Sequence, residues 1–143
     1  MSMPDFKLFT IEEAESSLPL VRRIVGDLLD DYPRWRAAVT HYELLSGGAR
    51  ADWGETPELL SARTEVTRLA ERINDYLNEL TVVGCVFKGF DAGLVDFYAV
   101  RDDRLVFLCW RFGEDRIRYW HDVDSGFSGR QPLDPALFAG TTP

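Results

Sequence analysis

The sequence has 143 residues, 45% hydrophobic and 13% aromatic, which is enough to bury a sizeable core and too apolar for a mainly disordered chain. A formal net charge of −8 argues against a general affinity for nucleic acid or for an anionic membrane surface. Cys85 and Cys109 make no disulfide framework, no signal peptide is read ahead of them, and no apolar run approaches the roughly 18 residues of a membrane span, so a soluble, cytoplasmic protein is expected.

In chain order, residues 1–143 read as one domain with a helical hairpin at 10–83 and a β-meander and tail at 84–133. The first few residues and the segment after Leu133 are the expected loose ends. Phe6–Phe9 alternates apolar and polar residues, as an edge strand would. Thr10-Ile-Glu-Glu13 is a capping box, so a helix should start at Ile11. Pro19 should interrupt it, with Ser16 or Ser17 able to re-cap and a bend as the result. From Leu18 the apolar positions run Leu18, Val21, Val25, Leu28, Tyr32, Trp35, Val39 and Tyr42. Alternating steps of three and four make this a heptad seam. Pro33 should kink the helix without necessarily ending it, and Gly47-Gly48 should stop it.

Thr56-Pro57 restarts the chain, with Thr56 as N-cap and Pro57 at the first helical position. The second helix repeats the seam at Leu59, Ala62, Val66, Leu69, Ile73, Tyr76, Leu80 and Val83. Two such arms imply an antiparallel hairpin, each arm about 40 Å long at roughly 1.5 Å per residue. Two helices cannot bury all their apolar surface alone, so a third layer must cover them.

Gly84 ends the second helix, and Cys85–Lys88 enters the β region. The charge is uneven: residues 10–83 carry 14 acidic and 8 basic side chains, residues 84–132 carry 8 and 7. The near-neutral half is also the aromatic half. A two-residue turn at Asp102-Asp103 sets Arg101 opposite Arg104 and Phe97 opposite Leu108. A second at Gly113-Glu114 would set Leu108 opposite Tyr119. On that register one face holds Val95, Phe97, Ala99, Val106, Leu108, Trp110, Ile117, Tyr119 and His121, and should pack on the helices. The other is mixed: Asp96, Cys109 and Arg118 share one row, and Tyr98, Phe107 and Trp120 the next. A row of aromatics beside arginines wants a cover.

Several residues of this region could carry chemistry, each with a plainer structural alternative. His121 could act as ligand or acid–base group, or simply be a hydrogen-bonded histidine at the end of the core face. Asp96 and Arg118 could orient a ligand, or form a cross-strand ion pair. Cys109 lies between them without an evident general base, so a buried, inert thiol is expected. Gly126-Phe-Ser-Gly-Arg130-Gln-Pro132 frees the backbone and offers Arg130 to an anion, or is a structural tail with Arg130 paired to an acidic neighbour. Cys85, Cys109, His41 and His121 have no recognised metal-ligand spacing. No metal site and no cofactor is assigned.

Several stretches together resemble a known family: FTIEEAESSLPLVRRIV, then GLVDF, FLCWRFGED, IRYWH and GFSGRQPL. They are similar to the bacterial domain of unknown function numbered 2203, over Phe9 to Leu133. The resemblance implies no activity, substrate or cofactor, and carries no residue's role across. It marks the C-terminal motifs with Asp96, Glu114, His121 and Arg130 as family features.

The expected fold is α+β, a long antiparallel helical hairpin packed on a small, mainly antiparallel sheet. The first functional expectation is a non-enzymatic, self-associating interaction module, a homo-oligomer and a dimer first, because seams and aromatic face exceed what one small sheet can cover. The second is a small-molecule or anion site, enzymatic or not, drawing on Asp96, Glu114, Arg118, His121 and Arg130. RNA binding through Trp120, Phe107 and Arg118 is disfavoured by the charge.

Overall fold

The computed structural model describes residues 7–47, 54–138 and 140. The capping box at Thr10 closes in both directions: Glu13 N donates to Thr10 Oγ1 and Thr10 N to Glu13 Oε1, each at 3.0 Å. Helix α1 then runs unbroken from Ile11 to Gly47, through both Pro19 and Pro33. The expected interruption at Pro19 therefore does not occur. Ser17 does not cap a new helix; its hydroxyl donates back to the Ala14 carbonyl at 2.7 Å. A buried stripe of Ala14, Leu18, Val21, Ile24, Val25 and Leu28 spans the proline, and that packing outweighs one lost helical bond.

Helix α2, Pro57–Val83, is capped by Thr56, whose hydroxyl accepts from Leu59 N. It ends at Gly84, whose φ of 103° is a left-handed cap. The two helices pack side by side along their seams. Where the hairpin passes the end of the core, buried Asp31 meets Arg72 Nε at 3.0 Å.

Five strands follow in the order of the chain, all antiparallel: β1 Val86–Gly89, β2 Leu94–Arg101, β3 Arg104–Arg111, β4 Tyr119–Asp122 and β5 Gln131–Pro132. The fold is α+β, as the sequence implies. One core joins the proximal half of α1 and the C-terminal half of α2 to Val95, Phe97, Val106, Leu108, Trp110 and Trp120. Phe9 adds a further ladder bond, its amide donating to Tyr98 O at 2.7 Å, although Lys7–Phe9 is not a strand and Phe6 lies outside the described residues.

The β2–β3 register is the expected one. Arg101 faces Arg104 across Asp102 and Asp103, both with positive φ. The β3–β4 register is not. Leu108 faces Trp120 rather than Tyr119, and Phe107 faces His121. The connection is not a two-residue turn: β3 ends at Arg111 and β4 begins at Tyr119. Within it Glu114 N returns to Arg111 O, and Ile117 is buried. A one-residue slip swaps every side chain of β4 to the other face. Trp120 thus enters the core, and His121 leaves the core face for the mixed one.

Residues 134–138 of the expected loose end are docked, and 141–143 lie outside the described residues. Asp102 N donates to Leu137 O at 3.0 Å, and buried Phe138 packs edge-on to Trp120.

Gly93 joins β2 to the helices. Its φ is +65°, and a Cβ there would stand 2.8 Å from Phe112 Cβ, 3.0 Å from Leu29 Cδ1 and 3.1 Å from Val25 Cγ1. Gly93→Ala should therefore destabilise the protein by about 2–4 kcal/mol, combining left-handed strain with overpacking. Gly89→Ala, with nothing within 4 Å of its added carbon, should shift the urea midpoint little. Equal midpoints for the two variants would refute this account.

Candidate metal centre

Residues Val106 to Trp110 are buried consecutively, so β3 is covered on both faces. The helices cover one. The chain's own segment after β4 covers the other, where Val123, Gly126 and Phe127 close a cavity of about 230 Å3 together with Lys88, Leu94, Asp96, Cys109 and His121. The cover that the mixed face requires is thus intramolecular. A larger cavity of about 620 Å3 lies between the end of α2 and Tyr98, but it gathers no comparable set of reactive side chains.

Strand alternation brings the polar side chains of this cavity together. Asp96 and Cys109 are direct cross-strand partners on β2 and β3. His121 stands opposite Phe107 on β4, and its ring reaches across β3 to Asp96. All three residues are buried, at 3%, 1% and 2% exposure respectively. One donor atom from each lies within 4.8 Å of the other two.

The imidazole is oriented by its backbone. The Asp122 carbonyl can only accept, so Nδ1, 2.7 Å away, carries a proton and donates to it. Nε2 then faces Asp96 Oδ1 at 3.1 Å, with a single proton to hold the two together. Burial pushes the Asp96 carboxyl above the ordinary range, against the pull of His121 and Lys88. Lys88 Nζ stands 3.9 Å from Asp96 Oδ2 and 4.8 Å above the Phe107 ring.

This geometry does not make a nucleophilic triad. Such a triad needs the imidazole between thiol and carboxylate, one ring nitrogen to each. Here one nitrogen is spent on a backbone carbonyl and the other meets the carboxylate. Burial, reinforced by the Asp96 charge, also holds the Cys109 thiol up at about 12.

The other sequence candidates fall into two groups. Glu114 and Arg130 pair with each other beside the cavity. The guanidinium makes a two-pronged contact, Nη1 to Oε2 at 2.9 Å and Nη2 to Oε1 at 2.6 Å. Nη2 also donates to the Cys109 carbonyl at 3.1 Å, and the plane lies over the rings of Tyr119 and Phe127. Glu114 Oε1 further accepts from Arg111 N. Arg130 is thus committed to fastening the tail onto the β3–β4 connection. Arg118 belongs to neither group. It is exposed and paired with Asp115 at 3.0 Å, so the expected Asp96–Arg118 row does not form. Its place beside Cys109 falls to Tyr119, because of the shifted register.

Residues 7–133 match the family model described as "Uncharacterized conserved protein (DUF2203)". The chain belongs to the DUF2203 family. Every residue of the DUF2203 cavity and of the Glu114–Arg130 clasp lies within the matched range. No curated protein and no solved structure matches the chain. No described helix is long and apolar enough to cross a membrane.

Sequence reading assigned Asp96 and His121 but set Cys109 aside as inert and did not single out Lys88. The β2–β3 turn already put Cys109 opposite Asp96. The missing sign was the length of the β3–β4 connection, which alone brings His121 onto the same face.

Two outcomes follow for solution work. Burial pushes the Cys85 thiol to about 12, as it does Cys109, so neither should react appreciably with a disulfide reagent at pH 8 until urea unfolds the chain. Rapid labelling of the native protein would contradict the described burial. Arg130→Ala strips Glu114 of its partner and should raise amide exchange selectively across residues 123–131, by about tenfold or more. Unchanged exchange there would show that the clasp does not hold the tail.

Proposed function

We propose that this chain is a metal-binding module, holding a divalent ion of the zinc class through Asp96, Cys109 and His121. The convergence of carboxylate, thiol and imidazole donors in one buried spot supports this reading. A tetrahedral zinc ion with bonds of about 2.0–2.3 Å sets its donors roughly 3.4–3.6 Å apart, so donors now within 4.8 Å of one another need close by no more than about 1.4 Å, and the 3.1 Å between Asp96 and His121 needs to widen slightly. Histidine ligands of metals commonly donate their second ring nitrogen to a carbonyl or carboxylate, which fixes the tautomer. The His121–Asp122 contact is of that kind. The charges also balance: carboxylate, thiolate and a divalent ion sum to zero, as do the Asp96–His121 pair with its one shared proton and the thiol they replace. A metal would draw the proton from a thiol that is otherwise inert.

Full-length protein incubated with zinc and desalted should retain about one equivalent by elemental analysis. Cys109→Ser and His121→Ala should each lower affinity by at least the ~10–100-fold typical of losing an outer-shell partner. Retention by both variants at wild-type affinity would reject the reading. Binding should also raise the unfolding free energy by about 2.7 kcal/mol at free zinc one hundred times Kd. Buried reduced thiols of this kind suit a reducing, cytoplasmic setting.

A second reading, self-association as a homodimer, draws on the distal hairpin. Leu44 is 73% and Leu60 46% exposed there, and Val39, Tyr42, Leu59 and Val66 are only half-buried. The mixed sheet face no longer contributes to this reading, because the tail occupies it. Sedimentation showing a monomer at high concentration would reject it.

A further inference from the structure

Structural zinc sites are closed by four protein ligands, whereas sites that act on other molecules keep a position open. Among the described residues no fourth histidine, cysteine or carboxylate joins Asp96, Cys109 and His121. The three donors border the cavity of about 230 Å3, whose remaining walls are Lys88, Leu94, Val123, Gly126 and Phe127. That volume suits a ligand of a few heavy atoms, given that a water's share of liquid is roughly 30 Å3.

We infer that the bound ion keeps a fourth position open to this cavity, where a small monoanion coordinates it beside Lys88. The inference rests on the metal reading above. Its sign comes from charge. Once Asp96, thiolate and divalent ion cancel, the unbalanced charge bordering the cavity is the Lys88 ammonium, 3.9 Å from Asp96 Oδ2 and 42% exposed at the rim. The other cation nearby, Arg130, is neutralised by its two bonds to Glu114. A cationic or bulky ligand is disfavoured by that ammonium and by the small volume. The apolar walls at Leu94, Val123 and Phe127 accommodate a short aliphatic substituent on the anion, as a small carboxylate would carry. A linear triatomic anion such as azide fits the same space and serves as the probe.

The test uses cobalt(II) in the full-length protein, with azide as titrant. Thiolate coordination gives a charge-transfer band in the near ultraviolet, and the visible bands report the number and kind of the remaining ligands. The expected result is a thiolate band whose visible companions change saturably as azide is added, with Lys88→Gln weakening azide binding by about fivefold or more while leaving the thiolate band in place. Absence of the thiolate band, with or without azide, would overturn the metal reading and this inference with it. A thiolate band whose visible spectrum ignores azide would leave the metal reading standing and overturn the open position. Azide binding of equal strength in wild type and Lys88→Gln would overturn the role of Lys88.

Discussion

The contact between Asp96 and His121 constrains the C-terminal half of the molecule more than any other. A carboxylate buried to 3% exposure is costly unless a cation, a proton or a metal compensates it. His121 supplies that compensation from across β3, with its other nitrogen already held by the Asp122 carbonyl. For the two to meet, β4 must sit in one register only, and the chain beyond it must fold over them. Covering the sheet's second face, the Glu114–Arg130 clasp and the cavity under Phe127 all follow from the burial of this polar pair.

The helical hairpin serves this arrangement from the opposite side. Its proximal half supplies the apolar layer for Val95, Phe97, Leu108 and Trp110, so that with the tail on the other side Val106–Trp110 of β3 has no solvent face. A doubly covered strand holds its side chains in few rotamers. That rigidity favours a site whose three donors come from three neighbouring strands. The distal half of the hairpin lacks a sheet beneath it, and there Val39, Tyr42, Leu59 and Val66 of the seams are only half-buried, although Ala62 and Leu69 are buried. One continuous heptad pattern thus does two jobs, core on one stretch and two-helix packing on the next.

Cys109 illustrates how burial and chemistry interact. In isolation its thiol is a small hydrophobe, raised to about 12 and shielded by the tail. Beside Asp96 and the oriented His121, the proposed divalent ion would remove the cost of ionising it. The guanidinium of Arg130, bonded to the Cys109 carbonyl, offsets only part of that rise, because Glu114 takes up most of its charge.

Elements whose causes are local were legible in the residues alone. The capping box at Thr10, the Thr56 cap, the left-handed Gly84 stop, both heptad seams and the Asp102-Asp103 turn depend on residues a few positions apart, and they stand where the residues imply. The sequence also placed Asp96 opposite Cys109, because a two-residue turn fixes a register outright. Beyond the β2–β3 turn, long-range packing took over. The β3–β4 connection has no short-turn signature to set its register; the slip is settled by Trp120 entering the core and His121 finding Asp96. Continuity of α1 through Pro19 was likewise decided by a buried stripe worth more than one helical bond. The docking of Phe138, the closing of the tail over Cys109 and the gathering of three donors from separate strands are long-range packing outcomes, which no local pattern encodes.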